Sequence, residues 1–275
     1  MHREFVEKYG PWALIAGASD GTGAEFARQL ASYGLNVALL ARRFSLLEEL
    51  ADEIRGAYGV LTRIASLDLT GPALVAELGQ FTTGIEVGLL VYNAGADIGS
   101  DFFIDRPMED ALHLVSLNCR GPVVFAHKFG REMARRRRGG IILMGSIAGG
   151  AGSAHVAIYS ATKAFDRTLA EALWVELGRD GVDVLGPTCG LIDTPTNRHL
   201  GIPSHFLESG MTSSEVAREC IAALPKGPVQ VIGEANRDAN DRYLPTDRGL
   251  LATAMSEDTA TLFGTSLAER KSRAC

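Results

Sequence analysis

Short apolar runs alternate along the chain with longer segments in which apolar residues recur every three or four positions. The short runs contain few polar residues, which is typical of strands covered on both faces of a parallel sheet. We predict strands at Trp12–Ala16, Leu35–Ala41, Leu61–Ser66, Val87–Tyr92, Ile141–Gly145, Val182–Gly186 and Val229–Ile232. We predict helices at Thr22–Tyr33, Phe44–Tyr58, Gly71–Phe81, Pro107–Arg138, Ala157–Arg179 and Ser213–Leu224. This alternation predicts an α/β fold, with a doubly wound parallel sheet of about seven strands and helices on both faces.

Two segments follow neither pattern. The stretch Leu191–Met211 is irregular, and the tail after Asn236 lacks a clear strand and looks helical from about Gly249. We expect a single domain over residues 1–275, in which residues 191–211 form a lid and residues 236–275 a C-terminal extension. The lid carries a set of apolar side chains: Leu200, Ile202, Phe206, Leu207 and Met211.

Composition and charge exclude several classes of protein. A formal net charge of −6 does not suggest a nucleic-acid partner, and no apolar stretch is long enough to span a bilayer. The segment Met1–Trp12 has no signal-peptide core, so we expect a cytoplasmic protein. The four cysteines lack CxxC or other metal-binding spacing, so we expect free thiols and no metal site: Cys119, Cys189, Cys220 and Cys275.

A glycine-rich stretch, AGASDGTGAEFA, joins the first predicted strand to the first predicted helix. Gly17 ends the strand and permits a tight turn, while Gly21 and Gly23 let the backbone approach a bulky anion and the helix pack on the sheet. The N–H groups at the helix start would point at that anion. The loop therefore predicts a dinucleotide pyrophosphate site. Its spacing is G-x-x-x-G-x-G rather than G-x-G-x-x-G, and a glycine-rich loop without a ligand is the alternative.

The second strand indicates which coenzyme is preferred. An NAD site usually ends this strand with an acid, but here Ala41 is followed by Arg42 and Arg43. Two arginines suit a 2′-phosphate, so we expect NADP(H) to be favoured over NAD(H). Two solvated arginines in a surface loop are the alternative. Asp20 argues mildly against the phosphate because a carboxylate would repel it, unless Asp20 instead caps the helix beginning at Thr22.

The stretch YSATK places Tyr159 and Lys163 four residues apart, on one face of a predicted helix. A phenol ordinarily ionises near about pH 10 and is a poor base at neutral pH, but a neighbouring cation stabilises the phenolate. The pair therefore suits acid/base chemistry. Taken alone, an exposed pair on a surface helix would be the simpler interpretation.

Four motifs occur in a fixed order: the glycine loop, YNAG (Tyr92–Gly95), GSIAGG (Gly145–Gly150) and YSATK. Together they closely resemble the short-chain dehydrogenase/reductase family in its single-domain, Rossmann-type form. The resemblance runs from about Pro11 to Ile232. It implies an NAD(P)-dependent oxidoreductase that interconverts a ketone and a secondary alcohol by hydride transfer.

The resemblance assigns a role to each matching residue. It makes Tyr159 the general acid/base and Lys163 the cation that also grips the nicotinamide ribose. Ser146 would hydrogen-bond the substrate carbonyl, and Asn118 would kink a helix and hold a water in the proton path. Asp68 would hold the adenine. The coenzyme-binding residues that it implies are Gly17, Ser19, Asp20, Gly21, Thr22, Gly23, Arg42, Arg43, Asp68, Leu69, Asn93, Ala94, Gly95, Tyr159, Lys163, Gly190, Ile192 and Thr194.

One position departs from the family pattern. After the sixth strand the family usually has Pro-Gly, but here Cys189 precedes Gly190. Ile192 and Thr194 would still contact the nicotinamide carboxamide or the pyrophosphate. No His or Lys stands beside Cys189 in sequence to activate it, so we interpret it as a small buried space-filler rather than a nucleophile.

The substrate is the least constrained part of the interpretation. The lid residues suggest an apolar pocket, and Phe102 with Phe103 could form another wall. No arginine pair is clearly placed for a substrate carboxylate. We therefore favour a hydrophobic ketone, which could be 3-oxoacyl or steroid-like. A non-catalytic nucleotide sensor and a sugar-nucleotide epimerase-like enzyme stay as alternatives, although the first would be expected to lose Tyr159 and Lys163.

Assembly follows from the same resemblance. The predicted helix Ala157–Arg179 carries one apolar stripe, made of Phe165, Leu169, Ala172 and Leu173. The stripe could simply cover the sheet. In the family, however, this helix and the Pro107–Arg138 helices commonly pair with their copies across a two-fold axis. Because the long C-terminal tail would cover the second family interface, we expect a homodimer, with a tetramer possible.

Overall fold

The computed structural model describes residues 2–95, 99–243 and 248–265. The strands in these ranges are β1 (Trp12–Ala16), β2 (Asn36–Ala41), β3 (Thr62–Ser66), β4 (Val87–Tyr92), β5 (Gly139–Leu143), β6 (Gly145–Ser146), β7 (Val182–Cys189), β8 (Ile192–Asp193), β9 (Met211–Thr212) and β10 (Val229–Ile232). The helices are α1 (His2–Tyr9), α2 (Gly21–Ser32), α3 (Phe44–Tyr58), α4 (Leu74–Phe81), α5 (Met108–Val115), α6 (Gly121–Arg136), α7 (Ala157–Gly178), α8 (Pro195–His199), α9 (Ser204–Glu208), α10 (Ser213–Ala223), α11 (Glu234–Tyr243) and α12 (Arg248–Phe263). A π-helical turn, Ser116–Arg120, joins α5 to α6.

The main sheet is parallel throughout. Its strands lie in the order β10-β7-β5-β4-β1-β2-β3, and the short β6 pairs with the end of β7. Strands β8 and β9 form a separate two-stranded sheet. The predicted doubly wound sheet of seven strands, with helices on both faces, is confirmed. Because β1 lies between β2 and β4, the chain reverses its winding direction there, which opens a crevice at the carboxyl ends of β1 and β4.

Both faces of the sheet are covered by helices, which explains why its strands are almost wholly apolar. Along β1, Ala13 and Ile15 belong to the cluster beneath α2, α3 and α10, whereas Leu14 and Ala16 belong to the cluster beneath α4, α6 and α7. Side chains alternate between the faces of a strand, and both faces here need apolar residues.

The chain breaks the long predicted helix Pro107–Arg138 into three parts. Helix α5 ends at Val115, the π-helical turn inserts one extra residue per turn, and α6 begins at Gly121. Apolar periodicity runs across all three parts, so the pattern alone could not show the break. The π-helical turn buries Asn118 completely. The strand predicted at Val182–Gly186 is also longer than expected, because β10 pairs with Gly186–Cys189.

Several short elements were not predicted. Helix α1 is fastened to the sheet because the Tyr9 hydroxyl donates to Asp183 Oδ2 at 2.5 Å. The irregular stretch Leu191–Met211 contains α8 and α9, each five residues long. The helical tail expected from about Gly249 corresponds to α12. None of the helices in the described ranges has both the length and the apolar character required to cross a membrane.

Candidate active site

A cleft of about 1190 Å³ opens at the carboxyl ends of β1 and β4. It extends from the glycine loop, past the start of α7, to the residue 191–211 segment and α12. The sequence-predicted site residues that line it are Gly17, Ser19, Asp20, Gly21, Thr22, Arg42, Arg43, Asp68, Leu69, Asn93, Ala94, Gly95, Ser146, Tyr159, Lys163, Gly190, Ile192 and Thr194. Two predicted residues, Gly23 and Asn118, do not line the cleft and lie behind it.

The glycine loop is locked against the YNAG segment. Asn93 Nδ2 donates to the Gly17 carbonyl oxygen at 3.0 Å. A Cβ atom on Gly23 would lie 2.0 Å from that same oxygen, so this position has no room for a side chain. Gly17 has φ +83°, and a Cβ there would lie 2.7 Å from the Ala94 nitrogen. The loop therefore needs glycine both for its backbone conformation and for close packing.

The start of α2 has the uncapped backbone expected of the predicted pyrophosphate site. No side chain caps the helix, so the first N–H groups are available at the cleft surface. The expectation that Asp20 caps this helix is wrong. Asp20 occupies the N-cap position, but its carboxylate instead accepts a hydrogen bond from Arg43 at 2.5 Å. The ion pair outcompetes capping because a charged guanidinium is a stronger donor than a backbone N–H.

The two arginines after β2 differ in their surroundings. Arg43 Nη2 donates to Asp20 Oδ2 and, at 2.8 Å, to Ser19 Oγ. The Arg42 side chain is exposed at the cleft and donates to none of the described residues. Across the cleft, hydrogen bonds from Thr70 chiefly lower the pKa of the Asp68 carboxyl, with a smaller contribution from the Arg42 charge.

Three of the four residues predicted to be catalytic line the cleft. Ser146 lies at the end of β6, where its hydroxyl accepts from the Ala148 N–H at 3.2 Å. Tyr159 and Lys163 lie one turn apart at the start of α7, with Lys163 Nζ 5.8 Å from the centre of the Tyr159 ring. A hydroxyl, a phenol and an ammonium group thus line the same cleft.

Lys163 is held by two hydrogen-bond partners. Its Nζ donates to the Met144 carbonyl oxygen at 2.7 Å and to Asp166 Oδ2 at 3.0 Å. Burial would lower the pKa of Lys163, but the adjacent Asp166 carboxylate, together with smaller effects of Tyr159 and Cys189, outweighs burial and raises that pKa. Burial in turn raises the pKa of Asp166, against the opposing effect of the Lys163 ammonium. Sequence reasoning missed Asp166, although its place three residues after Lys163 puts it on the same helix face.

Asn118 supports this group from behind. Its Nδ2 donates to Thr162 Oγ1 at 3.0 Å, while its Oδ1 is buried and has no partner among the described residues. A Cβ atom on Gly95 would lie 2.7 Å from Asn118 Oδ1 and 3.3 Å from Lys163 Nζ. The missing side chain at Gly95 thus lets the asparagine and the lysine approach the cleft.

The segment after β7 closes the phosphate end of the cleft. Thr194 caps α8 by accepting from the Asn197 N–H at 3.1 Å, and its methyl group lies beside Gly21. A Cβ atom on Gly190 would lie 2.1 Å from Asn236 Oδ1. Cys189 is only 3% exposed and contacts Cys220, whose pKa is raised chiefly by burial. These surroundings agree with the interpretation of Cys189 as a space-filling residue.

The other half of the cleft carries its bulkiest apolar side chains, beside the polar side chains of Asn197, His199 and Asp258. Of the predicted lid side chains, Leu200, Ile202 and Phe206 line it, whereas Leu207 and Met211 do not. Phe102 and Phe103 do not line it either, so the wall expected from them is wrong. Phe102 stacks on His155 at 4.4 Å between ring centres, and Phe103 is exposed.

Helix α12 supplies the wall that sequence reasoning did not find. Its Met255, Leu262 and Phe263 line the cleft opposite the lid. The helix is fastened to the loop after β6, because Ser153 Oγ donates to the Met255 carbonyl oxygen at 2.9 Å and the Ala154 N–H donates to Ser256 Oγ at 2.8 Å. A contact across about a hundred residues leaves no local signal in the sequence.

Comparison with known proteins places this fold and site in a family. The sequence model of the short chain dehydrogenase family matches residues 11–202. The chain therefore belongs to the short-chain dehydrogenase family, and the resemblance stated from its motifs is confirmed.

Individual relatives give the family context. A very-long-chain 3-oxoacyl-CoA reductase of Laccaria bicolor is 39% identical over 185 residues, which are 66% of this chain and 55% of that protein. The match thus spans little more than half the length of this relative. A 7beta-hydroxysteroid dehydrogenase of Collinsella aerofaciens is 31% identical over 237 residues, which are 85% of this chain and 90% of that protein.

Solved structures show the same architecture. A 7beta-hydroxysteroid dehydrogenase structure superposes with a TM-score of 0.85 at 29% identity, covering 91% of this chain and 98% of that one. A short-chain dehydrogenase from Sphingobium yanoikuyae, solved in complex with NADPH, gives a TM-score of 0.75 at 26% identity, covering 96% and 100% of the two chains.

Proposed function

We propose that the protein is an NADPH-dependent reductase of bulky, hydrophobic ketones. One observation carries the proposal: a single cleft joins the glycine loop to a half that carries bulky apolar side chains, with Ser146, Tyr159 and Lys163 between them. Each half suits one of the two molecules that the reaction needs. The relatives named as 3-oxoacyl-CoA reductases and 7beta-hydroxysteroid dehydrogenases act on substrates of this general class.

The residues of the cleft fit a nicotinamide dinucleotide. The uncapped start of α2 suits the pyrophosphate, and the positions of Gly17 and Gly23 exclude any side chain from the loop. Asp68 would hold the adenine, and Lys163 and Tyr159 the nicotinamide ribose. When bound in its reduced form, the coenzyme supplies a hydride to the substrate carbonyl carbon.

The protein's own side chains transfer the proton. The Ser146 hydroxyl donates a hydrogen bond to the substrate carbonyl oxygen and orients it. The Tyr159 hydroxyl gives its proton to that oxygen, and the tyrosine is left as a phenolate. The Lys163 ammonium stabilises the phenolate through its positive charge, and Asn118, which donates to Thr162 Oγ1, would hold a water in the proton path. In the oxidative direction the same groups act in reverse.

Arg42 supports the preference for NADP(H). It is exposed at the cleft beside the glycine loop and has no described acceptor of its own, so it is available to a 2′-phosphate. Arg43 already binds Asp20, which both occupies it and holds a negative charge nearby. We propose that Arg42 is the main determinant of the preference and that Asp20 weakens it.

The half of the cleft with the bulky apolar side chains supports a bulky ketone. Arg42 and Arg43 are the described arginines that line the cleft, and both lie at the coenzyme end. The far end instead presents Leu200, Phe206 and Phe263. We propose that residues 191–211 act as the lid of this half. The homodimer and the cytoplasmic location stay predictions from the sequence.

A coenzyme-consumption assay tests the proposed function. Purified protein is mixed with NADPH and a series of ketones that increases in apolar size, from acetone through long-chain 3-oxoacyl thioesters to oxosteroids. We expect kcat/KM to rise with the apolar surface that the substrate can bury, since each methylene contributes about 0.8 kcal/mol. Binding of NADPH without consumption on any ketone would favour the non-catalytic alternative.

A further inference from the structure

Two hydrogen bonds fix the orientation of the Lys163 side chain. An ammonium group has three N–H donors, and two of those on Lys163 go to the Met144 carbonyl oxygen and to Asp166 Oδ2. Asp166 does not line the cleft, whereas Met144 forms part of its wall, and the third N–H of Lys163 is left for a group bound in the cleft. A change in either partner would let the side chain rotate, because nothing else described accepts from this nitrogen.

Asp166 has an arrangement that stability alone does not explain. The residue is 2% exposed, and its Oδ1 atom is buried with no partner among the described residues. A buried ion pair repays its desolvation only when the remaining lone pairs are also satisfied. An apolar residue at this position of α7 would avoid that cost.

The other carboxylates on elements packed against α7 do not contact Lys163: Asp183 on β7 binds Tyr9 and Lys8, and Glu109 and Asp110 lie in the first turn of α5. Tyr92 on β4 and Cys119 on the π-helical turn face this region, and burial is the main reason that both have raised pKa values, to about 11 for Cys119. Cys189 faces it from β7. Asp166 is therefore the carboxylate that balances Lys163.

The remaining elements packed on α7 add little charge. Strands β5, β6 and β10 carry no ionisable side chain. His113 on α5 lines the cleft, and Arg120 is engaged by the carbonyl oxygens of Thr70 and Gly71. Helix α6 approaches α7 at Leu177, far along the helix from Lys163.

We propose that Asp166 is a positioning residue that keeps Lys163 charged and directed at Tyr159, and thereby sets the upper pH limit of ketone reduction. The inference rests on the proposed function. Removing a nearby carboxylate makes the first proton loss from the coupled Tyr159–Lys163 pair easier, whichever of the two groups loses it. Reduction needs both groups of the pair protonated. Without the Asp166 charge, the decline of the rate at alkaline pH should therefore begin at a lower pH than in the wild type.

The experiment compares Asp166→Asn with the wild-type protein. Asparagine keeps the shape of the side chain and removes its charge. We expect the alkaline limb of the pH–kcat profile for ketone reduction to move to lower pH by about one unit or more. Glu171→Gln removes the same charge from an exposed position of the same helix and serves as the matched control; its limb should stay in place. A limb that is unmoved in Asp166→Asn, or moved to higher pH, overturns the inference.

A second readout does not depend on turnover. The phenolate absorbance of Tyr159 is isolated by subtracting the titration of Tyr159→Phe, in the wild-type and Asp166→Asn backgrounds. We expect proton loss from the pair to begin at a lower pH in Asp166→Asn. If Tyr159 loses its proton first, the phenolate signal appears at a lower pH. If Lys163 loses its proton first, the phenolate signal is lost. An identical titration in both backgrounds contradicts the inference. Absence of turnover in the wild-type protein contradicts the proposed function instead.

A third variant covers the case in which asparagine does not fold. Asp166→Glu keeps the negative charge but displaces it by one methylene. We expect its alkaline limb to stay near that of the wild type, while kcat falls several-fold because Lys163 is misdirected. A limb displaced by a full unit in this variant, with its charge intact, would refute the role given to the charge of Asp166.

Discussion

Coenzyme choice offers a sharp test because the two arginines after β2 predict different results. Arg42 donates no hydrogen bond to the described residues and acts on Asp68 only through its charge, so most of its interaction with a 2′-phosphate would be gained on binding. A hydrogen bond between charged groups contributes about 1.5–3 kcal/mol. Arg42→Ala should therefore weaken NADPH binding by about ten- to a hundred-fold, since each 1.4 kcal/mol is about tenfold. NADH has no 2′-phosphate, and its affinity should change by less than about threefold.

Arg43 and Asp20 should give smaller and opposite effects. Arg43 is paired with Asp20 at 2.5 Å, and the arginine side chain is 52% exposed. Exposed ion pairs contribute about 0.2–1 kcal/mol, so any phosphate contact of Arg43 is largely offset by what it gives up. Arg43→Ala should cost NADPH no more than about fivefold. Asp20→Asn should strengthen NADPH binding by up to about fivefold, because it frees Arg43 and removes a repelling charge.

Titration of coenzyme fluorescence measures the NADPH and NADH dissociation constants of the wild type and the three variants at two salt concentrations. The NADPH effects should shrink at high salt, where charges at the surface are screened. Equal losses of NADPH and NADH in Arg42→Ala would refute the assignment of Arg42. A weaker NADPH affinity in Asp20→Asn would show that Asp20 supports the site rather than opposing the phosphate.

Three further predictions follow from the packing. Gly23→Ala should abolish measurable coenzyme binding in calorimetry, because its Cβ would lie 2.0 Å from the Gly17 oxygen, and retained binding would contradict the loop geometry. Gly56 is a helical glycine with no atom near its Cβ position, so Gly56→Ala should raise the free energy of unfolding in urea by about 0.5–1 kcal/mol. Phe263→Ala should raise KM for the bulkiest ketones by about tenfold or more while leaving the NADPH dissociation constant unchanged, and an equal loss on acetone would show that the residue does not contact the substrate's far end. Light scattering at micromolar concentration should give the mass of two chains, because helices α5, α6 and α7 expose apolar side chains: Met108, Leu112, Val123, Trp174 and Val175. A mass of four chains would refute the expectation that the C-terminal tail covers the second interface. A monomer would refute the helix interface as well.

The dimer prediction now rests on different side chains from those that suggested it. Leu169 and Leu173, from the apolar stripe on α7, pack against the sheet core and simply cover it. The exposed apolar residues of α7 are Trp174 and Val175, which point elsewhere. A helix with apolar residues on two faces is typical of one that packs on both sides.

The sequence was most informative where function depends on local spacing. The three glycines and the Tyr159–Lys163 pair act through backbone geometry and helical periodicity, both of which are readable over a few residues. The strands were predicted nearly to the residue because burial on both faces leaves an apolar run bounded by polar residues. Apolar periodicity did not reveal the π-helical turn because one inserted residue does not interrupt it; the family resemblance alone, which implies a kink at Asn118, indicated a break there.

Contacts between distant segments were beyond the sequence. Nothing near Met255 or Phe263 indicates that α12 reaches the cleft, since its anchors are Ser153 and Ala154, about a hundred residues earlier. Asp166 could have been placed on the face of Lys163 by its spacing. Its burial, however, depends on β4 and β7 packing over it, and charged residues are ordinarily expected at the surface. A distant contact also explains why Asp20 was considered as a helix cap: its partner, Arg43, lies 23 residues later in the chain.

The most direct test of the proposed chemistry is the single-turnover rate of NADPH oxidation with the best ketone substrate, measured for the wild type and Tyr159→Phe. The variant loses only a hydroxyl, so its fold and its NADPH affinity should be nearly unchanged. General acid catalysis contributes about 100- to 10,000-fold, and the rate should fall by at least that factor. A Tyr159→Phe rate close to the wild-type value would contradict the assignment of Tyr159 as the proton donor, and with it the proposed mechanism.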